Sequence, residues 1–314
     1  MGRYIARKIM SVVLVLFAIS VITFMIFQVI PNGDPAQRMA GRLADAQQIQ
    51  DVREQWGFDK PLYVQYATTM KLIVTGQVVS YTQQVNVMQQ IKQDLPATIS
   101  LAIGASLLWL FFGVLFGIIS ALHAGKSVDT GITVLAMIGV SMPVFFLGAL
   151  GVYFLGYKAH LLPVAGYVGI LDNPWQWFTH LIMPWLVLSI LYVGIYSRVM
   201  RGSILDTMNE DYVRTARAKG IGERRVLTHH VLRNSMIPVI SLFGLDFAAV
   251  IGGAAILTES IFNLQGVGQY AAESVDRLDV PPVMVITMLG AFAVVVISAI
   301  VDVIFAFLDP RIRL

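Results

Sequence analysis

"DYVRTARAKGIGERR", residues 211–225, packs five lysines and arginines into fifteen positions. The chain around it is 57% hydrophobic and only 13% charged, with a mean hydropathy of +0.72 over 314 residues. Soluble domains carry about 25% charged residues, and an apolar run of ~20 residues spans the ~30 Å hydrocarbon layer of a bilayer. Several runs here have no polar face to give to water, which excludes a large soluble helical core. In such a chain a cationic cluster reports sidedness, because lysine and arginine are retained in cytoplasmic loops.

Six apolar runs are found, at 9–30, 97–122, 131–157, 180–196, 236–262 and 282–308. Pro143 interrupts the third, Pro184 lies near the start of the fourth, and Pro281 and Pro282 open the sixth, where a helix tolerates proline. The first run follows Arg3, Arg7 and Lys8 and lacks the short apolar core and small-x-small site of a signal peptide. It is therefore read as an uncleaved span with its N-terminus inside. Residues 31–96 are polar and mixed, and the spacing of Ile49, Val52 and Trp56 predicts helix in a small extracytoplasmic subdomain.

Charge then orients the chain. The segments 1–8, 123–130, 197–235 and 309–314 hold 3, 1, 8 and 2 basic residues, whereas the two short opposite loops hold only Lys158 and Arg277. The six basic residues of 31–96 do not weigh against this, since long loops escape the charge rule. The expected architecture is an all-α membrane protein with six transmembrane helices and both termini cytoplasmic. Its parts are an N-terminal helix (1–30), the external subdomain (31–96), a five-helix core (97–308) with a cytoplasmic loop at 197–235, and a tail (309–314).

Other chemistries find little support in the same residues. The charge of +3 and pI of about 9.1 follow from cationic loops and call for no nucleic acid. With no cysteine there is no disulfide, thiolate metal site or cysteine nucleophile. "SALHAGKS" (120–127) nearly spells a phosphate loop, but Ser120 stands where glycine is needed and the stretch follows a span rather than a strand. "GVG" (266–268) lacks the rest of a dinucleotide fingerprint, and His229 and His230 diverge around a helix. No cofactor, metal or catalytic residue is assigned to this chain.

Two residues inside the runs carry alternatives. Asp246 is costly in lipid. It is either the coupling site of an ion-coupled carrier working alone or an internally hydrogen-bonded structural residue, and the second reading is favoured. Pro143 is expected to kink the third run, a packing feature being preferred to a hinge beside a transport pathway. Gly113 and Gly117, and the cluster Gly252 to Ala255, are expected to let helices approach closely in the bundle or against a partner.

Within the opening stretch, a helix over 211–219 puts Tyr212, Val213 and Ala216 on one side and Arg214 and Arg217 on the other, with Asp211 one turn before Arg214. Gly220 and Gly222 bracket a break. A second helix then carries Val226, Leu227, His230 and Val231 toward Pro238, near the start of the fifth run. The apolar face with Ala216 and Ala218 is expected to enter a groove whose acidic rim the arginines grip. Composition leaves open an interfacial pair lying on anionic lipid.

"DYVRTARAKG … HHVLRNSMIP" resembles the cytoplasmic signature of ABC importer permeases of the dipeptide, oligopeptide and nickel family. Similar family segments are "RYIARKI" at the start, "NGDP" (32–35), "KPLYVQY" (60–66), "LPAT" (95–98) and "GVSMPVFFLG" (139–148). "GGAAILTESIF" (252–262), "GVGQY" (266–270) and the terminal "LDPRIR" (308–313) complete the set. The resemblance implies a type I ABC importer permease in the cell inner membrane. It also implies a second homologous permease subunit making a heterodimer, two ABC ATPase subunits that use ATP and Mg, and an extracytoplasmic substrate-binding protein. The family's E-A-A-x-x-x-G loop falls on Arg214, Thr215, Ala216 and Gly220. The resemblance thereby implies ATPase-coupling roles for Tyr212, Val213, Arg214, Thr215, Ala216, Arg217, Gly220 and Arg224. Implied cargo is short peptides, with nickel or glutathione as cargoes of the same machine. "NLQGVG" (263–268) departs from the family's Trp-Pro before glycine, and 76–94 from its Gly-Asp-Leu-Gly pattern; both departures lie on the expected outer side.

Overall fold

Helices begin and end where proline, glycine and side-chain caps place them, and this moves several boundaries away from the hydropathy limits. The computed structural model describes residues 2–41 and 44–308, so the expected tail at 309–314 lies outside the described residues. In chain order the elements are α1 (Gly2–Phe24, prolonged by a π turn Met25–Val29), α2 (Pro35–Ala40), α3 (Ala46–Trp56), α4 (Leu62–Val74), β1 (Val79–Ser80) and β2 (Val85–Asn86). Then come α5 (Val87–Leu122), α6 (Ser127–Ser141), α7 (Val144–Gly151, continued as π helix to Lys158), α8 (Pro174–Met208) and α9 (Asp211–Ala218). The chain closes with α10 (Glu223–Arg225, running through a π turn Val226–Val231 into the next helix), α11 (Leu232–Ala249, followed by a π turn Val250–Ala254), α12 (Ile256–Ile261), α13 (Val267–Asp276) and α14 (Val280–Leu308).

Five helical stretches are long and apolar enough to cross a membrane, and the pair α6–α7 supplies a sixth if it is one span. The all-α membrane fold read from the sequence agrees with this arrangement. Its third member is bent by 97°, far more than a kink. Proline disfavours helical backbone at the preceding residue, and Met142 is extended (φ −83°, ψ 126°) while Pro143 caps α7. The second helix starts at Val87, ten residues before the apolar run, because Val87, Ile91 and Asp94 form a buried stripe that carries the helix beyond the hydrocarbon layer. At the other end of the chain, Pro238 lies inside a helix that is continuous from the π turn, so the expected short second helix of the loop is fused to the fifth span. That span ends at Ala254, where Gly253 takes φ +130°, and the remaining "ILTESI" forms the separate α12.

The described residues form two compact units, one from residues up to Ile99 together with those from Ala248 onward, the other from Ser100–Phe247. In the first unit, α3 is closed by an Asp45/Gln48 capping box and by Gly57 in left-handed conformation. Its stripe Val52 and Trp56 is buried with Met39, Leu72, Ile73 and Val87 against Met284 and Met288 of α14, so the segment between the first two spans shares one core with the last span. Trp56 Nε1 donates to Tyr81 Oη at 3.0 Å, and the Ser80 hydroxyl donates to Asp279 just before α14. Burial pushes the Asp279 carboxyl above the usual range, against the opposing pull of the Ser80 hydrogen bond and the Arg277 charge.

In the second unit, glycines set the helix spacing. A Cβ on Gly113 would fall 2.4 Å from Tyr196 Cβ, and one on Gly117 would fall 2.8 Å from the Ser197 carbonyl oxygen, so the G-x-x-x-G of α5 packs on α8 of the same chain. Trp185 lies against Gly104 and donates Nε1 to the Ser100 carbonyl at 2.9 Å, while Trp109 stacks on Tyr192 at 4.3 Å. Apolar close packing of this kind is sensitive to added volume. Gly117→Leu should lower stability by about 1–3 kcal/mol, seen as a reduced unfolding temperature in detergent. Gly131→Ala, on α6 with open space around its Cβ, should be neutral or stabilising by up to about 1 kcal/mol. Equal unfolding temperatures for the two variants would contradict this packing.

Candidate functional site

The segment between α8 and α11 is a folded element. Val213 and Ala216 of α9 are buried, as are Val226 and Val231 of the following π turn, and α9 packs on both that turn and the end of α8. An eight-residue helix is not stable alone in water, so this packing is what holds α9 in shape. Its C-terminus is a Schellman motif: Ile221 N donates to Ala216 O and Gly220 N to Arg217 O, with Gly220 at φ +77°. Nothing crowds the Gly220 Cβ position, so backbone conformation rather than space requires glycine there.

Polar contacts brace the two arms. Arg217 Nε donates to Glu223 at 2.9 Å across the Gly220 turn, and its Nη1 reaches the Met208 carbonyl at 3.5 Å. Asn234 Nδ2 donates to Tyr212 Oη at 2.6 Å, tying α9 to the base of α11. Ser235, fully buried, sits 3.0–3.2 Å from the Val231 and Ser203 carbonyls and the Thr207 hydroxyl, joining α11 to α8. Arg214 stays 67% exposed with only a 3.5 Å contact to Asp211.

All eight loop residues singled out in the sequence therefore lie on one braced knob, but not with the expected division of labour. Val213 and Ala216 face the chain's own helices because they are the only apolar side chains on α9 that can seal it to α8. Of the eight, Tyr212, Arg214, Thr215, Gly220 and Arg224 are exposed, and beside them so are Ala218, Lys219 and Arg225 and the acids Asp211 and Glu223. The outward surface carries four exposed cations, Arg214, Lys219, Arg224 and Arg225, against two acids, with one aromatic ring, and the small-residue face expected to enter a groove is split between Ala216 inside and Ala218 outside.

Pro143 and Asp246 lie elsewhere in the second unit. Pro143 forms the α6–α7 corner. Asp246, on α11, accepts a hydrogen bond from Tyr196 Oη of α8 at 2.9 Å, so its carboxylate has a partner inside the helix bundle.

Two further acidic residues, to which the sequence assigns no role, are held in built polar sites. Asp129, in the first turn of α6, accepts from Arg201 Nε and Nη2, both at 2.7 Å, from Ser120 Oγ at 2.5 Å and from Gly125 N at 2.9 Å. The loop that imitates a phosphate cradle thus holds the chain's own carboxylate. Opposite charges at neighbouring span ends, Asp129 and Arg201, were the available signal, but Arg201 was counted only as a loop charge. Glu259, on α12, is fully buried; Thr98 Oγ1 donates to it at 2.7 Å and Gln269 N at 2.9 Å. A Cβ on Gly266 would lie 2.3 Å from this carboxylate, which explains the glycine in "GVGQY". Beside it a cavity of about 580 Å³ is lined by Lys92, Thr98, Gly253, Glu259, Thr287 and Gly290 among others.

A bundle with a braced cationic knob and a broken fifth span fits a subunit driven by another protein better than a self-contained catalyst. Comparison with known proteins bears on this directly. Residues 113–314 match the family model described as the binding-protein-dependent transport system inner membrane component, and residues 1–102 match that of its N-terminal region. A probable peptide ABC transporter permease of Sinorhizobium fredii is 36% identical over 314 residues, covering the whole of both chains. The dipeptide transport system permease of Alkalihalophilus pseudofirmus is 34% identical over 334 positions, again covering both chains fully. The glutathione transport system permease of Escherichia coli is 35% identical over 315 positions, with 100% of this chain and 99% of the relative covered. Matched from end to end, this chain belongs to the binding-protein-dependent inner membrane components, the multi-pass permeases of ABC importers.

Proposed function

We propose that this chain is the permease subunit of an ATP-driven importer of dipeptides or oligopeptides, and that the knob at 211–225 is the seat of the ATPase subunits. The observation that carries the reading is the knob itself: Val213, Ala216 and Val226 are used internally, leaving Arg214, Arg224, Arg225 and Tyr212 exposed on an element too well braced to be a tether. Charged rims of this kind favour partner choice and orientation. The relatives named for peptides and dipeptides, and for glutathione, itself a short peptide, support the cargo class.

In this reading both termini lie in the cytoplasm and a second homologous permease completes the pathway as a heterodimer within membrane lipid. An external binding protein delivers the peptide. Two ABC ATPases bind ATP and Mg, and the chain itself catalyses nothing. Closure of the ATPases pushes the knob and with it the ends of α8 and α11. Asp246 serves packing: the hydrogen bond from Tyr196 supports a structural role over an ion-coupling one.

Reconstituted with its partners, the importer should take up labelled dipeptide only when ATP is supplied on the knob side, and excess di- or tripeptide should compete where nickel ions do not. Uptake by vesicles holding this chain alone, driven by an ion gradient and lost in Asp246→Asn, would replace this reading with that of a self-sufficient carrier. Arg214→Glu should reduce uptake about tenfold, the scale of ~1.4 kcal/mol at a contact, with normal amounts of chain in the membrane. Ala216→Trp is a poorer probe, because it would also unseat α9 from its own chain. Wild-type uptake by Arg214→Glu would contradict the proposed seat.

A further inference from the structure

We propose that the Asp129–Arg201 pair is a coupling clamp: a positioning device that makes α5, α6 and α8 move as one body when the knob is displaced. The inference rests on the coupling role proposed above for residues 211–225. It concerns residues that neither the family resemblance nor the sequence pattern singled out.

The geometry is that of a filled site. Asp129 is buried, and its two carboxylate oxygens accept four hydrogen bonds, Oδ1 from Arg201 Nε and Ser120 Oγ, Oδ2 from Arg201 Nη2 and Gly125 N. A carboxylate offers about four acceptor positions, so none is left for water. The donors come from three places. Ser120 lies in the last turn of α5, Gly125 in the α5–α6 turn, and Arg201 on α8, seven residues or about 10 Å along the helix before α8 ends at Met208 and the chain turns into the knob. One buried side chain thereby joins the end of α5, the start of α6 and the body of α8 two turns before its end.

Why this should matter for motion follows from the other contacts between the same helices. Gly113 and Gly117 rest on Tyr196, Ser197 and Met200 through close apolar contact, which resists separation but gives no direction against sliding. A bidentate Arg–carboxylate pair is different. The planar fork fixes both distance and angle, and slippage by even one residue would strand a buried carboxylate among unpaired donors. Displacement entering α8 from the knob is therefore passed to α5 and α6 at Arg201 instead of being absorbed between them. Lysine in place of Arg201 would keep the charge but only one point of contact. Asparagine in place of Asp129 would keep the shape but turn an N–H group toward Arg201 or Gly125.

The test measures peptide imported per ATP hydrolysed by the complete reconstituted importer carrying Asp129→Asn, Arg201→Gln or Arg201→Lys. A single Lys219→Cys in this cysteine-free chain reports, by cross-linking, whether an ATPase subunit is seated. Expected are wild-type cross-linking, continued ATP hydrolysis and a fall of roughly fivefold or more in the transport ratio for Asp129→Asn and Arg201→Gln, with Arg201→Lys between these and wild type. An unchanged ratio, even with uptake and hydrolysis falling together, would reduce the pair to a structural contact and overturn the inference. Should Asp129→Asn not reach the membrane, Arg201→Lys decides, since a wild-type ratio there rejects the clamp equally. Absence of cross-linking in the otherwise wild-type chain is the distinct failure: it removes the coupling seat, and the clamp's role goes with it.

Discussion

Burial of Val213, Ala216, Val226 and Val231 within the chain is the constraint from which the rest follows. Without it the residues between α8 and α11 would be a charged linker, free to yield when pushed. With it, an eight-residue helix becomes an extension of two membrane helices, braced by the Arg217–Glu223 pair and the Tyr212–Asn234 hydrogen bond. The composition of the segment then makes physical sense. Val213, Ala216, Val226 and Val231 hold the element together, Arg217 braces it, and Arg214, Arg224 and Arg225 stay exposed.

A second constraint acts on buried acids, whose polar groups water cannot reach. Each of the acids discussed sits where a neighbouring element brings donors: Tyr196 to Asp246, Arg201 and the α5–α6 turn to Asp129. Glu259, beyond the break at Gly253, is met by Thr98 and the start of α13. In that last case the carboxylate dictates sequence in turn, since Gly266 and Gly268 leave room for it. At Glu259 a helix break and a buried carboxylate occur together, whereas Asp246 is met within an unbroken helix.

Much of this was legible in the residues. Apolar runs report spans directly because the bilayer sets their length, and the loop residues carry the break at Gly220 that ends α9. Less could be read where the third dimension decides. Ala216 and Ala218 look alike in sequence, yet one seals α9 and the other faces out, and only the position of α8 distinguishes them. The 97° corner at Pro143 exceeds a proline kink because Met142 also leaves the helix. Asp129 and Arg201 are 72 positions apart, so no local period links them. The start of α5 at Val87 was hidden for another reason: its stripe packs in the external core, where hydropathy windows lose their meaning.

The central claim, that the knob is rigidly part of the second unit, is tested most directly by a distance. Spin labels at Lys219→Cys on the knob and Gly131→Cys on α6 would be compared in the assembled importer, resting and ATP-bound. A rigid lever predicts the same separation in both states, to within about 2 Å, the size of ordinary helix shifts. A change of several ångströms, or a broad distribution in either state, would show that the knob moves by itself and contradict the account.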